Sequence, residues 1–263
     1  MFGGFAGFNN DKGGDWGENL LNKVATNTIR HLFTRSDLVE VEVRCQPSSK
    51  LLQGTIDSFK MNGRGLVIRK QFRTEEMSFE TDTVAIDFGS VVKGNLSLKQ
   101  PTQAVAQVKL TQADINKSFE AELVRKRLEN LTIEDLTKIS GGKPVSFTDV
   151  DLQLLPDNRI KLLAKASWGD RSIPVSLNCS LGIAKRRRIV FDNALFEPKD
   201  VPEDLRDTSK ELTIALGKIL NKMVDLDRFN LDGVKLRLNR LETAGKMLLF
   251  SGYAQIERVP QTG

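Results

Sequence analysis

Hydrophobic residues recur along the chain in two patterns, one with helical spacing and one alternating every second residue. A capping-box spacing from Asp15 to Glu18 opens the first helical stretch, which we predict to end near Arg35. Further helices are predicted from Thr111 through Asn130, with a short continuation to Ile139, and from about Glu203 to Val224. Since alternating stretches follow each helical one in blocks, not one for one, the fold class is α+β.

The alternating stretches predict long antiparallel strands. Val39 to Cys45 is the cleanest half-buried strand, and Asn62-Gly63-Arg64-Gly65 is a hairpin signal. We expect a second hairpin at Pro156-Asp157-Asn158 and one short strand that contains Leu96 and Leu98. Several strands reach about 8–12 residues, above the usual ~5–6. Such strands favour a long, twisted antiparallel sheet wrapped around an amphipathic helix, which can leave an apolar channel.

The sequence predicts a short N-terminal tail followed by one domain. Residues 1–14 are rich in Gly and Phe, as in a flexible tail or a hydrophobic anchor. Residues 15–258 form a single predicted domain with two helix-plus-strands halves, about 15–110 and 111–258. The candidate groove wall combines the second helix with the first strand and consists of Ile115, Phe119, Leu123, Val41 and Val43.

Charge and composition indicate a protein drawn to anionic surfaces. The net charge is +5 and hydrophobic residues make up 40% of the chain, with no apolar run near the ~20 residues of a membrane span. No secretory signal is visible and the two cysteines lie far apart, so we expect a cytoplasmic protein with peripheral attachment to anionic membrane. The densest basic run lies between two predicted strands, where its side chains are expected to project at a sheet end. It consists of Lys185, Arg186, Arg187 and Arg188, the candidate headgroup contacts, or a plain solvated turn.

The sequence offers little for covalent chemistry. His31 is the only histidine, and no Gly-x-Ser-x-Gly elbow accompanies it. Ser140-Gly141-Gly142-Lys143 lacks the first glycine of a phosphate loop. Paired carboxylates stay open in principle because acids are abundant, but nothing singles out a pair. We therefore predict no enzyme, no catalytic residue, no metal and no cofactor.

Six segments carry a resemblance to a known family: Leu51–Ser58, Gly63–Ile68, Phe72–Met77, Glu80–Asp82, Lys99–Ala104 and Thr111–Asp114. Over about residues 17 to 258 the chain resembles the LmeA-like phospholipid-binding family (DUF2993), in its cyanobacterial branch. The resemblance implies a tubular lipid-binding (TULIP-like) fold, phospholipid binding and transport between membranes, and it supplies no catalytic residues. Mycobacterial relatives carry a signal or anchor for the cell envelope; because none is visible in this sequence, we do not expect a periplasmic location.

The function expected is non-catalytic binding of phospholipid or another acyl lipid in a hydrophobic groove, extended to lipid transfer between or at membranes. The main alternative is a membrane-associated scaffold or interaction module whose groove is filled by its own side chains. An enzyme and a nucleic-acid binder are weaker alternatives, since no RNP-like or zinc-finger pattern occurs.

Overall fold

Two antiparallel sheets carry the fold in the computed structural model, which describes residues 12–47, 49–228 and 233–259. The larger sheet has six strands in the order β1-β3-β4-β6-β12-β11, and the smaller has four in the order β10-β9-β8-β7. A two-residue ladder joins β2 to β5. The predicted α+β class with a large antiparallel sheet is confirmed. Most of the predicted 1–14 tail lies outside the described residues.

The strand bounds follow the alternating pattern closely in the smaller sheet and less closely in the larger one. The strands are β1 (Leu38–Arg44), β2 (Thr55–Ile56), β3 (Ser58–Ile68), β4 (Phe72–Thr81), β5 (Val84–Ala85), β6 (Thr102–Thr111), β7 (Ser146–Leu155), β8 (Arg159–Trp168), β9 (Arg171–Ala184), β10 (Arg188–Phe196), β11 (Val234–Ala244) and β12 (Met247–Ile256).

Two long helices cover the sheets, and five short ones lie in the connections. The long α1 (Lys12–His31) packs on β1, and the long α7 (Arg206–Met223) packs on β9 and β10. The short helices are α2 (Ser49–Leu52), α3 (Phe88–Val92), α4 (Gln112–Ser118), α5 (Glu122–Arg125) and α6 (Glu134–Ser140), and 3-10 turns span Pro198–Asp200, Glu203–Leu205 and Leu226–Arg228.

The main core lies between the four-stranded sheet and α7. Alternate residues of β8, including Ile160, Leu162 and Ala166, are fully buried there against Leu212 and Leu216 of α7. A separate cluster forms around α1, α2, α3 and β1, with buried Leu21, Leu51 and Val91. Each long helix therefore packs on a different sheet, and Leu241 and Leu248 of the larger sheet also belong to the main core.

The predicted hairpin at residues 62–65 is wrong, because β3 runs straight through it. Gly63 is needed for space: a Cβ there would lie 2.7 Å from the Leu66 side chain. At Gly65, where φ is +59°, a Cβ would lie 1.9 Å from Asp37 Oδ2. The hairpin lies instead at residues 69–71, where Arg69 and Lys70 take positive φ values. These glycines therefore mark close approaches and not a turn.

The predicted second helix is also wrong in its length. Between residues 111 and 130 the chain forms two short helices, with Ala121 extended and buried between α4 and α5, whereas α6 matches the predicted short stretch to Ile139. The sheet is consequently not wrapped around a helix at this position; the long helices are α1 and α7. Leu98 forms an isolated bridge with Ile86 and no strand. The hairpin at 156–158 is confirmed, with Asp157 and Asn158 in the left-handed region that Asp and Asn tolerate.

Hairpin ends of the smaller sheet are bonded to β11 of the larger one. The Asn158 side chain accepts from the Thr243 backbone N–H at 2.8 Å and donates to the Leu241 carbonyl at 3.1 Å. At the β9–β10 turn, the Leu238 N–H donates to the Arg186 carbonyl at 2.6 Å. That second bond forms where a register shift frees β11 from its neighbour.

Candidate functional site

One face of the six-stranded sheet is apolar across its whole width. Strand register aligns one residue from each strand, and aligned residues of an antiparallel sheet point to the same side. Two adjacent rows that point to this side are Val41–Met61–Phe79–Ala106–Gly252–Leu238 and Val39–Gly63–Met77–Val108–Phe250–Leu241. Neither row contains a charged or hydrogen-bonding side chain.

The opposite face of the same sheet is polar. Its corresponding rows are Glu40–Asn62–Ser78–Gln107–Ser251–Arg240 and Glu42–Lys60–Glu80–Val105–Tyr253–Arg237. On this face Lys109 donates to Glu76, which lowers the pKa of the Glu76 carboxyl. The two faces of the sheet therefore differ: one carries polar side chains suited to solvent, and the other carries apolar side chains.

A hydrophobic cluster with small residues at its base lies on the apolar face of β4, β6, β12 and the edge strand β11. Ala104, Ala106 and Ala254 are buried between larger, half-buried side chains. Those larger side chains are Phe79, Val234, Leu236 and Ile256. All members lie on β4, β6, β11 and β12, and among the side chains that the structure describes none from a helix belongs to the cluster. This cluster, which we call the central trough, therefore differs from the two cores, each of which combines strands with helices.

The two ends of the apolar face meet those cores. At the β1 edge, Val43 is buried and Val41 half-buried against the α1 cluster. At the other end, Leu110 and Leu248 join the main core. Beside them, Arg73 Nη1 donates to Glu75 Oε2 at 2.7 Å and to Asp114 Oδ2 at 2.9 Å. The hydrogen bond that Arg73 donates to Glu75 is the main cause that raises the pKa of the Arg73 guanidinium. Ionic groups therefore begin where the apolar rows end.

The predicted groove residues do not form one wall. Val41 and Val43 lie on the apolar face, but Ile115 and Phe119 pack against the main core of the other sheet. Leu123, on α5, is 52% exposed. The expectation that these helical residues lie beside β1 is wrong because the second helix is broken at Ala121, so its pieces follow a different surface. That any of the five contacts lipid stays a prediction.

The residues of the central trough were not singled out from the sequence as a site. Alternation marked Ala104, Ala106 and Val108 as a strand. It did not reveal the order of the strands. Because β6 lies between β4 and β12, and β12 pairs with β11, Phe79 of β4 and Leu236 of β11 come to the same trough. The available signal was a run of small apolar residues, Ala104 and Ala106, on alternate positions of β6.

The basic run is largely tied into the protein, contrary to the expectation that it projects freely. Arg187 forms an ion pair with Asp227, which also accepts from Arg237 Nη1 at 2.7 Å. These two donors lower the pKa of the Asp227 carboxyl. Arg188 is half-buried and its Nη2 donates to the Asn221 carbonyl at 2.6 Å. The acids and the carbonyl that hold these arginines lie far away in sequence, so the local pattern could not show them.

Lys185 and Arg186 are the exposed members of the run. Arg186 donates to the Asn239 side chain and lies over the Tyr253 ring, with 5.9 Å between the guanidinium carbon and the ring centroid. A role in headgroup contact stays a prediction for all four residues, and Lys185 is the most accessible to test it.

A cleft of about 520 Å³ lies between α6 and α7. Apolar Leu131 and Ile219 line it together with Arg127, Lys218 and Lys222. Lys218 Nζ lies 2.6 Å from Asp135 Oδ2, and Arg127 donates to the Met223 carbonyl at the end of α7. Its charged lining contrasts with the wholly apolar rows of the large sheet.

The nucleophiles and possible ligands of the described residues are dispersed. Burial raises the pKa of the Cys179 thiol to about 12 and raises that of Cys45 as well, which keeps both as thiols. His31 is exposed, and its ring bonds the Asn27 carbonyl of its own helix at 2.6 Å. Across the residues that the structure describes, no group of three or more His, Cys, Asp or Glu is placed to hold a metal. Among the described helices, none combines the length and the apolar character needed to cross a bilayer.

Comparison with known proteins confirms the resemblance seen in the sequence motifs. A family model described as LmeA-like phospholipid-binding matches residues 13–252, which covers both long helices and both sheets apart from Lys12 and the last four residues of β12. The match does not separate branches, so the cyanobacterial assignment stays a prediction. No curated protein and no solved structure matches the chain. With nearly its whole length matched, the chain belongs to the LmeA-like phospholipid-binding family.

Proposed function

We propose that the protein binds a phospholipid non-covalently, with the acyl chains lying in the central trough. The observation that carries this proposal is an apolar cluster built from the strands of one sheet, with small residues on its floor and larger ones on its sides. A chain of methylene groups is the partner whose shape and chemistry suit such a surface, and phospholipid binding is what the family is described as doing.

The energetics favour lipid over water on this face. Burying an acyl chain contributes about 0.8 kcal/mol per CH₂, so contact along part of one chain is enough for measurable affinity. The polar rows on the other side of the sheet offer no comparable gain, which supports binding on the apolar side.

The proposal extends to a tubular, TULIP-like mode of action, in which the protein carries lipid between or at membranes without catalysing a reaction. The polar head would remain near the ends of the apolar rows, where ionic groups begin. Lys185 and Arg186 are candidates for contact with the anionic headgroups of a membrane because both are exposed.

Replacing Ala106 with phenylalanine tests the proposal, since the new ring would occupy the floor of the trough. Displacing two methylene groups costs about 1.6 kcal/mol, which corresponds to roughly a tenfold loss of lipid affinity. The matched control is Gln107→Phe, an exposed position one residue away on the polar face. Affinity is measured with a fluorescent short-chain phospholipid added as monomers.

The same pair of variants separates lipid binding from the self-filled scaffold. If side chains already fill the trough, Ala106→Phe overpacks it and lowers the free energy of unfolding by about 1–3 kcal/mol. In that case wild type would bind no monomeric lipid. Equal lipid affinity in wild type, Ala106→Phe and Gln107→Phe would place any binding elsewhere and contradict the proposal.

A further inference from the structure

The short helices α2 and α3 hold two large aliphatic side chains in solvent. Leu52 is 73% exposed and Val92 is 64% exposed. Each directly follows a buried residue of the α1 cluster, Leu51 or Val91, which fixes its helix against the protein. Their exposure is therefore built into the packing of the helices that carry them.

The two helices belong to one end of the protein. The ladder of β2 with β5 pairs the residues after α2 with those before α3. Next to this ladder, the Ile86 N–H donates to the Gly54 carbonyl at 2.8 Å, and Lys99 Nζ donates to the Gln53 carbonyl at 3.3 Å. We call the surface of α2 and α3 around Leu52 and Val92 the aliphatic tip.

Three lysines lie on or beside the helices of the aliphatic tip. Lys50 lies on α2, Lys93 caps the end of α3, and Lys99 bonds the chain after α2. Lys50 pairs with Asp57 at 2.6 Å, and Asp87 accepts from Ser90 and from the Gly89 N–H of α3. Exposed aliphatic groups with Lys93 and Lys99 on the same helices or next to them complement the hydrocarbon and the anionic headgroups of a membrane surface.

The tip is also continuous with the proposed lipid site. The cluster that anchors α2 and α3 includes Val43, and Val41 and Phe59 pack against it. Val41 lies in the same row as Phe79 and Ala106 of the central trough. An acyl chain moving between trough and membrane would thus meet apolar side chains along the way.

We propose that the aliphatic tip docks on phospholipid bilayers by inserting Leu52 and Val92 among the lipids, so that cargo enters and leaves the trough there. This inference rests on the proposed function, because only a lipid-carrying protein needs such a path. A membrane is the fitting partner since the cargo itself resides in one.

Vesicle flotation with the full chain tests the inference, using vesicles of equal parts phosphatidylglycerol and phosphatidylcholine. The tip variant is Leu52→Asp/Val92→Asp, and the matched control is Leu195→Asp/Ile214→Asp, whose aliphatic side chains are 66% and 49% exposed on β10 and α7. Burying two aliphatic side chains in the bilayer raises the vesicle partition coefficient by more than about a factor of ten. We therefore expect this coefficient to fall at least about tenfold in the tip variant. The control should stay close to wild type.

Uptake of the monomeric short-chain phospholipid distinguishes docking from cargo binding. The tip variant should bind monomers as wild type does, while its extraction of lipid from vesicles slows. A Leu52→Ser/Val92→Ser variant gives the same comparison if the aspartates impair folding. Wild-type vesicle binding by the tip variants, or no vesicle binding by wild type itself, overturns the inference. If wild type does not bind the monomeric phospholipid, the proposed function itself is contradicted.

Discussion

Truncation of Leu162 to alanine is expected to lower the free energy of unfolding by about 2–5 kcal/mol, the range for a fully buried leucine. Leu162 has no exposed surface and aligns with Leu152 and Leu177 on the side of the small sheet that faces α7. The surrounding structure is expected to fill the cavity only in part, because the backbones of the sheet and of α7 are held by their own hydrogen bonds.

Leu163→Ala provides the comparison for this prediction. Leu163 is the next residue of β8, points to the other side of the sheet and is only half-buried. Denaturant unfolding followed by circular dichroism should show the smaller loss for Leu163→Ala. Equal losses at the two positions would mean that α7 does not cover this sheet as described.

Reversal of charge at Arg188 is expected to cost about 1.5–3 kcal/mol of unfolding free energy, the usual value for a hydrogen bond to a charged group. Its Nη2 donates to the Asn221 carbonyl, and the Asn221 side chain in turn holds the Phe191 backbone through bonds of 2.8 and 3.1 Å. Arg188→Glu replaces the donor with an acceptor that faces the same carbonyl, so α7 and β10 lose a connection.

Lys185→Glu makes the same change of charge three residues earlier. Lys185 is exposed in the β9–β10 turn, and a surface substitution of this kind stays within about 0.5 kcal/mol of wild type. Thermal and denaturant unfolding of the two variants compare them directly. A plain solvated turn would give both variants the same stability, which is the outcome that would contradict the structural role of Arg188.

The parts of the fold that local pattern determines were predicted from the sequence. Val39, Val43 and their acidic neighbours alternate as half-buried strands do, and β1 has that burial pattern. The α7 helix and the hairpin at Asp157-Asn158 follow for the same reason, since spacing and turn residues specify them within a few positions. The prediction failed at Gly63 and Gly65, where glycine answers a tertiary requirement for space.

The candidate site depends on which strands become neighbours, and the local sequence of a single segment does not determine its neighbours in the sheet. Ala106 reads as an ordinary strand residue until β6 is placed between β4 and β12. Likewise, Arg187 reads as a surface cation until Asp227 is brought beside it from 40 residues away. The family resemblance predicted lipid binding, whereas the position of the trough required the register of all six strands.

Native mass spectrometry of the purified wild-type protein tests the central claim most directly. The account predicts a bound mass that matches a phospholipid, released on unfolding and much reduced in Ala106→Phe but not in Gln107→Phe. A wild-type protein that carries no lipid mass, and acquires none after incubation with phospholipid vesicles, would contradict it.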